Sequence, residues 1–345
     1  MSNNLNDKTS LITNNKIWME SNATEQLKCF SELKGVKKIV GLPDLHAGRT
    51  PVGAAIETEE IIYPHIIGSD IGCGMTMFNT GVEVSQYKQG KWVKKLNQLE
   101  TASGFGSIGG GNHFAEFQVL DQVFDQDNFD KLGIGKKAVM LLVHTGSRNY
   151  GQEIFSQFGG AEGIEVGSEQ FENYLEKHDD AVRWAKLNRK VVAEKLIKQL
   201  GFLKEPIDMI DCCHNYVEKC NEVWIHRKGA VSTRNGMVVI PGSRGSLTYI
   251  VMPFQDCSIS LNSISHGSGR KYQRSECRGR MSSKYTKNEL RETVLKSKII
   301  CNNSNLLYEE APDAYKNIGD IIKCLEEFNL IKIVASLKPL ITYKG

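Results

Sequence analysis

An irregular α+β domain is what this sequence predicts, and three observations carry the prediction. Short apolar runs and stretches of helical periodicity do not alternate along the chain, which disfavours a doubly wound parallel sheet. The 32 glycines fall in clusters, Gly68 to Gly74, Gly104 to Gly111, Gly146 to Gly151, Gly242 to Gly245 and Gly267 to Gly269, each beside a β-like run rather than in a linker. No repeat and no low-complexity tract divides the 345 residues, so one integrated domain with mixed sheets and peripheral helices is expected.

In chain order, the first 15 residues are polar and rich in Asn, and residues 1–20 read as a polar N-terminal segment. Lys38-Ile-Val40 and Ala138-Val-Met-Leu-Leu-Val143 read as strands capped by tight turns. Phe171, Tyr174, Leu175, Ala181, Trp184, Ala185, Val192 and Leu196 recur at helical spacing, so a helix is expected from Glu169 to Leu200 with Gly201 as its stop and its charged residues facing solvent. Met237 to Ile240 is strand-like. Ile318, Ile321, Ile322, Leu325 and Phe328 predict a helix over 318–328, followed by a strand from Ile331 to Ala335.

Composition narrows the functional classes. With 40% hydrophobic and 24% charged residues the chain is an ordinary globular protein, long enough to fold without disulfides or a structural metal. The longest apolar run, Ala138 to Val143, is far below the roughly 18 residues of a membrane span, and no secretory signal precedes it, so a cytoplasmic protein with no membrane partner is expected. Nine cysteines, none in a Cys-x-x-Cys pair, argue against a disulfide framework or zinc ribbon. A net charge of +3 implies no polyanion partner by itself.

Chemistry concentrates in a few places. Asp70-Ile-Gly-Cys73 sets a carboxylate and a thiol in a glycine-permitted turn, and His113, His144 and His214 stand in polar or glycine-rich settings. Each alone is more often structural. Together they make a donor set suited to two divalent ions if the Cys73 thiolate bridges them, the apparatus that recurs in phosphoryl chemistry. Ser265-His-Gly-Ser-Gly-Arg270 follows a histidine with small residues and an arginine, which lets an imidazole approach a bulky phosphate. Arg270, Lys271, Arg274, Arg278, Arg280, Lys284 and Lys287 face a single acid, Glu276, in a stretch that is either a solvated basic loop or a phosphate site. Other motifs fail. Gly104-Phe-Gly-Ser-Ile-Gly109 fits the dinucleotide fingerprint formally, but the alternation from Phe114 is strand-like; no P-loop, no Asp-Gly dipeptide and no Gly-x-Ser-x-Gly elbow exist.

Pro43-Asp-Leu-His-Ala-Gly48, Asp70-Ile-Gly-Cys-Gly-Met75, Gly110-Gly-Asn-His-Phe114, His144-Thr-Gly-Ser-Arg148, His214-Asn215, His226-Arg-Lys-Gly-Ala230, Pro241-Gly-Ser243 and His266-Gly-Ser-Gly-Arg270 occur in this order. The chain from Leu42 to Gly345 thereby resembles the RtcB-type RNA-splicing ligases, with residues 21–345 as the catalytic domain. The resemblance implies joining of RNA 3′-phosphate or 2′,3′-cyclic phosphate ends to 5′-hydroxyls with GTP and two Mn²⁺ ions. It makes His266 the catalytic nucleophile that takes GMP, and Asp70, Cys73, His113, His144 and His214 the metal ligands. Guanine would be held by Phe114, Glu116, Ser243, Thr248, Tyr315 and Lys344, with Asn112 and Asn215 near the phosphate and Ser268 and Gly269 in the nucleotide site. Arg148, Arg270 and Arg274 would clamp the terminal RNA phosphate. Departures stand beside the likeness: Ser268 replaces the usual Ala, Arg244 the usual Met, and Ser232-Thr-Arg234 the usual residues after His-Arg-Lys-Gly-Ala. The abbreviated length resembles the branch associated with peptide release factor H, which implies RNA repair, with an archease-like activator as a further partner. Two other classes share these residues, a metal-dependent RNA-end phosphoesterase that would not need His266 and an RNA-binding pseudoenzyme; GTP dependence separates them.

Overall fold

Two sheets divide the apolar strands between them. The computed structural model describes residues 3–100 and 103–344. Met1 and Gly345, the outer bounds of the expected segment and domain, lie outside them. The first sheet has six strands in the order Asn3–Asn4, Thr9–Leu11, Val36–His46, Val52–Thr58, Val223–Lys228 and Asn215–Cys220. The second runs Ile207–Cys213, Gly74–Glu83, Ala138–Thr145, Phe114–Val123, Ile331–Lys344, Thr248–Pro253 and Val238–Pro241, with Lys298–Cys301 added in parallel alongside Ile331–Lys344. Most neighbours are antiparallel, as expected of an α+β domain without regular crossovers.

The polar N-terminal segment is part of this frame. Thr9–Leu11 pairs in parallel with Ile39–Gly41 and is buried, and Ile12 and Ile17 enter the main core. The apolar patch is too short for its periodicity to show in sequence. Ala138–Thr145 lies between two strands and is buried almost throughout, which is why it reads as a continuous apolar run.

The long helix spans Glu169–Leu200 as its periodicity predicts. Ser168 accepts the Phe171 N–H at the start, Glu169 and Glu172 sit in the first turn, and Gly201 closes the helix in the left-handed conformation at φ 89°. Its charged residues do not all face solvent, since Arg189 is completely buried against the second sheet. The second expected helix is Ile318–Glu327, and the strand behind it extends to Lys344. The nine cysteines are free and most are buried. Among the described residues no helix is long and apolar enough to cross a membrane.

Candidate metal and active site

Strand register explains why the candidate ligands meet. In the second sheet Cys213 pairs with Gly74 and Gly74 with Thr145, while Met75 pairs with His144 and His144 with Phe114. Cys73, His113 and His214 each flank one of those paired residues, so four adjacent strands end at one level with a ligand at each end. Gly72, at φ 72°, lies within 3.0 Å of the long helix at the position a Cβ would take, so the Asp70–Cys73 turn can close only on glycine.

The donors form two sets that share one thiol. Cys73, His144 and His214 bring ligand atoms within 4.8 Å of one another, and so do Asp70, Cys73 and His113. His113 Nε2 lies 2.9 Å from Asp70 Oδ2 and 3.3 Å from Cys73 Sγ, and His144 Nε2 lies 3.4 Å from the same sulfur. Burial drives His144 and His214 well below the ordinary imidazole range, so both stand as neutral donors. Burial, and then the nearby Asp70 charge, raises the Cys73 thiol, so a cation that binds there displaces its proton. His214 Nδ1 is buried with no hydrogen-bond partner. Thiolate, imidazole and carboxylate in two shared triads suit a pair of borderline divalent ions.

Arg189 holds this arrangement from below. Its guanidinium donates to the carbonyls of Gly72 at 3.1 Å and Thr145 at 3.0 Å, to Thr76 Oγ1 at 2.8 Å and to Asp211 at 2.9 Å. The two carbonyls belong to the residues next to Cys73 and His144.

His266 stands beside the metal donors, its ring 4.7 Å from that of His214. Its Nδ1 is 2.7 Å from Asp44 Oδ2, which also accepts the His266 backbone N–H at 3.2 Å. In the neutral form of such a ring, a carboxylate at Nδ1 holds the proton there and leaves Nε2 with its lone pair. Lys316 donates to the carbonyls of Pro43 and Leu45 on either side of Asp44, and burial lowers its ammonium to about 8. Sequence reasoning assigned no role to Asp44, although it lies in the Pro43–Gly48 motif.

The other candidates mostly line the same pocket of about 300 Å³: Asn112, Phe114, Glu116, Asn215, Ser243, Ser268, Gly269, Tyr315 and Lys344, together with Arg270 and Arg274. Glu116, raised by burial, accepts from Thr342 and from Gln118. Three candidates are placed differently from the rest. Thr248 is not in the pocket wall; it accepts from Gln118 Nε2 at 2.8 Å and so backs Glu116 from behind. Arg270 lines the pocket with its guanidinium already engaged by Glu310, Tyr315, the Glu309 carbonyl and Cys277. Arg148 lies outside the pocket lining with Nη1 at 3.2 Å from His113 Nδ1. Arg274, 46% exposed at the start of the helix Arg274–Ser282, remains open to solvent. The basic stretch is therefore partly helix rather than loop.

Glu310 went unnoticed in the sequence. It faces Arg270 at 3.1 Å, Arg274 at 3.5 Å and Lys344 at 3.7 Å, and accepts from the Tyr315 hydroxyl. Burial alone would raise its carboxyl, but Lys344, Arg270 and Arg274 outweigh that and hold it at about 2.

An α+β fold that gathers two donor triads around one thiol, beside a histidine with a free Nε2, has the build of a metal-dependent enzyme. Comparison with known proteins gives the family. The family described as tRNA-splicing ligase RtcB matches residues 26–104, 84–162 and 161–345, and this chain belongs to it. RNA-splicing ligase RtcB2 of Escherichia coli is 38% identical, with 99% of this chain and 97% of the relative covered. RNA-splicing ligase RtcB1 of the same species is 26% identical over 96% of this chain and 97% of its own length. The tRNA-splicing ligase RtcB of Nanoarchaeum equitans is 25% identical, covering 90% and 89%.

Proposed function

We propose that this protein is a GTP-dependent RNA ligase that joins 3′-phosphate or 2′,3′-cyclic phosphate ends to 5′-hydroxyl ends through a guanylate carried on His266. The observation that carries the reading is the Asp44–His266 pair set against the metal donors. A neutral imidazole with its proton fixed on Nδ1 is a nucleophile at Nε2 without needing a separate base. Asp70, Cys73, His113, His144 and His214 would hold two Mn²⁺ ions, which supply charge neutralisation for the triphosphate when bound.

On this reading His266 Nε2 forms a bond to the α-phosphorus of GTP and pyrophosphate leaves. Asp44 stabilises the cationic ring that results. An oxygen of the RNA 3′-phosphate next takes the guanylate from His266, giving an RNA-ppG end. The 5′-hydroxyl then attacks the RNA phosphorus and GMP departs. Glu116 accepts from guanine N1–H and N2–H, an edge adenine does not offer. Arg274, exposed at the rim, orients the RNA phosphate, while Arg270 acts through Glu310 to position Lys344 and Arg274. The names of the relatives support RNA as the substrate. The reading extends to RNA repair in the cytoplasm, with a functional link to release factor H and an archease-like activator.

Incubation with α-labelled GTP and Mn²⁺ tests it. The protein is expected to acquire an acid-labile, base-stable label from GTP and not from ATP, and His266→Ala to acquire none. A stable label in His266→Ala would place the nucleophile elsewhere.

A further inference from the structure

The turn Pro241-Gly-Ser-Arg-Gly245 delivers Arg244 into the pocket wall. The side chain is only 7% exposed, and a single hydrogen bond of its guanidinium is satisfied within the protein, from Nη2 to the Leu307 carbonyl at 2.6 Å. Nε and Nη1 are buried without a partner. Natural proteins rarely leave buried donors of a cation unpaired, so two unpaired donors on a side chain that lines a pocket mark a place where a ligand can supply the acceptors. The acid of the neighbourhood, Glu310, is already divided among Arg270, Arg274, Lys344 and Tyr315.

We infer that Arg244 reads the acceptor edge of the guanine base, donating from Nη1 toward O6 and N7. The inference rests on the guanylate reading above and adds a residue to it. Arg244 belongs to the side of the pocket where Lys344 meets Glu310, whereas His266 lies with Asp44 and His214. The reacting phosphorus must reach His266, so the base falls toward Lys344 and Glu116. The chemistry of the two walls is then complementary to one purine. Glu116 presents acceptors, which suit N1–H and N2–H, and Arg244 presents donors, which suit O6 and N7. Adenine would turn its N6 amino hydrogens toward the guanidinium.

Calorimetric binding of nucleotides to the whole protein and to Arg244→Met tests this. The wild type is expected to bind 7-deaza-GTP roughly tenfold more weakly than GTP, a loss within the range of a lost arginine contact to a base. Arg244→Met is expected to bind GTP at least tenfold more weakly, to lose much of its preference over ATP, and to treat GTP and 7-deaza-GTP alike. The weakening should be the same for GMP as for GTP. Equal wild-type affinity for GTP and 7-deaza-GTP overturns the assignment without needing the variant to fold. A loss in Arg244→Met that grows from GMP to GTP gives the residue to the phosphates instead and also overturns it. If the wild type shows no preference for GTP over ATP, the guanylate reading itself fails, an outcome distinct from the other two.

Discussion

Replacing Arg189 with Met tests whether a buried guanidinium organises the candidate metal donors. The side chain is completely buried, and Met reaches only as far as Nε, so the substitution keeps the apolar stem while removing the guanidinium with its charge and hydrogen bonds. Four acceptors lose their donor: the Gly72 and Thr145 carbonyls, Thr76 Oγ1 and Asp211. Breaking a buried ion pair typically costs about 3–5 kcal/mol, and Asp211, 23% exposed, recovers part of its hydration. A net loss of about 3–4 kcal/mol is expected, a large share of the roughly 5–15 kcal/mol by which domains are stable. The freed carbonyls flank Cys73 and His144, so metal affinity should also fall by roughly ten- to a hundredfold, as for other supports of metal ligands. Urea unfolding gives the first quantity, and titration with Co²⁺ followed by thiolate charge-transfer absorption gives the second. Arg189→Lys should recover part of the stability and less of the affinity, because an ammonium cannot reach four acceptors in a plane. Wild-type unfolding midpoint together with unchanged Co²⁺ affinity in Arg189→Met would refute the reasoning.

Three further outcomes are expected. Asp44→Asn can present an amide N–H to His266 Nδ1, which moves the ring proton to Nε2; self-guanylylation should slow by roughly two to four orders of magnitude, and a rate within threefold of wild type would remove Asp44 from the mechanism. His226 is fully buried, its Nε2 accepting the Tyr63 N–H at 2.8 Å, and burial lowers it to about 3. The unfolded chain takes up a proton near pH 6.5 that the folded chain refuses, so stability falls as pH drops below 6.5 and continues to fall toward 3. By linkage this amounts to roughly 3 kcal/mol at pH 4.5, and His226→Gln should lose that part of the slope in urea unfolding; identical slopes in the two proteins would sink the assignment. Glu310→Gln leaves Arg270 and Lys344 without their buried carboxylate and should cost about 3 kcal/mol of unfolding free energy; a loss below about 1 kcal/mol would mean that the cluster is neutralised by other means.

What could be read in advance was whatever declares itself locally. The helix Glu169–Leu200 announces its ends through Ser168 and Gly201, and the strand at Phe114 was legible enough to reject the dinucleotide fingerprint before it. The five candidate metal donors stood out because a carboxylate, a thiol and imidazoles in glycine-rich or polar turns are unusual residue types for such places. The register that brings them together is non-local and leaves no periodic mark. Asp44 and His266 are 222 residues apart, on strands or turns that no spacing relates. The pairing of Arg270 with Glu310 was hidden for the same reason, since the carboxylate lies 40 residues further on. Arg189 was hidden by the helix itself, where a cation at helical spacing looks like part of the solvent face.

Two neighbouring positions in the turn after His266 differ sharply in their freedom to vary. At Gly269, φ is 67° and an added Cβ would stand 2.1 Å from the Asp44 carbonyl, so any side chain there pushes apart the loop that aligns His266. Ser268, one residue earlier, is buried with an unpartnered hydroxyl and needs no special backbone. For redesign of the pocket, position 268 is a dial that can alter the polarity of its wall while the Asp44–His266 pair stays put. Position 269 is a mechanical stop, and changes intended to retune specificity should leave it alone.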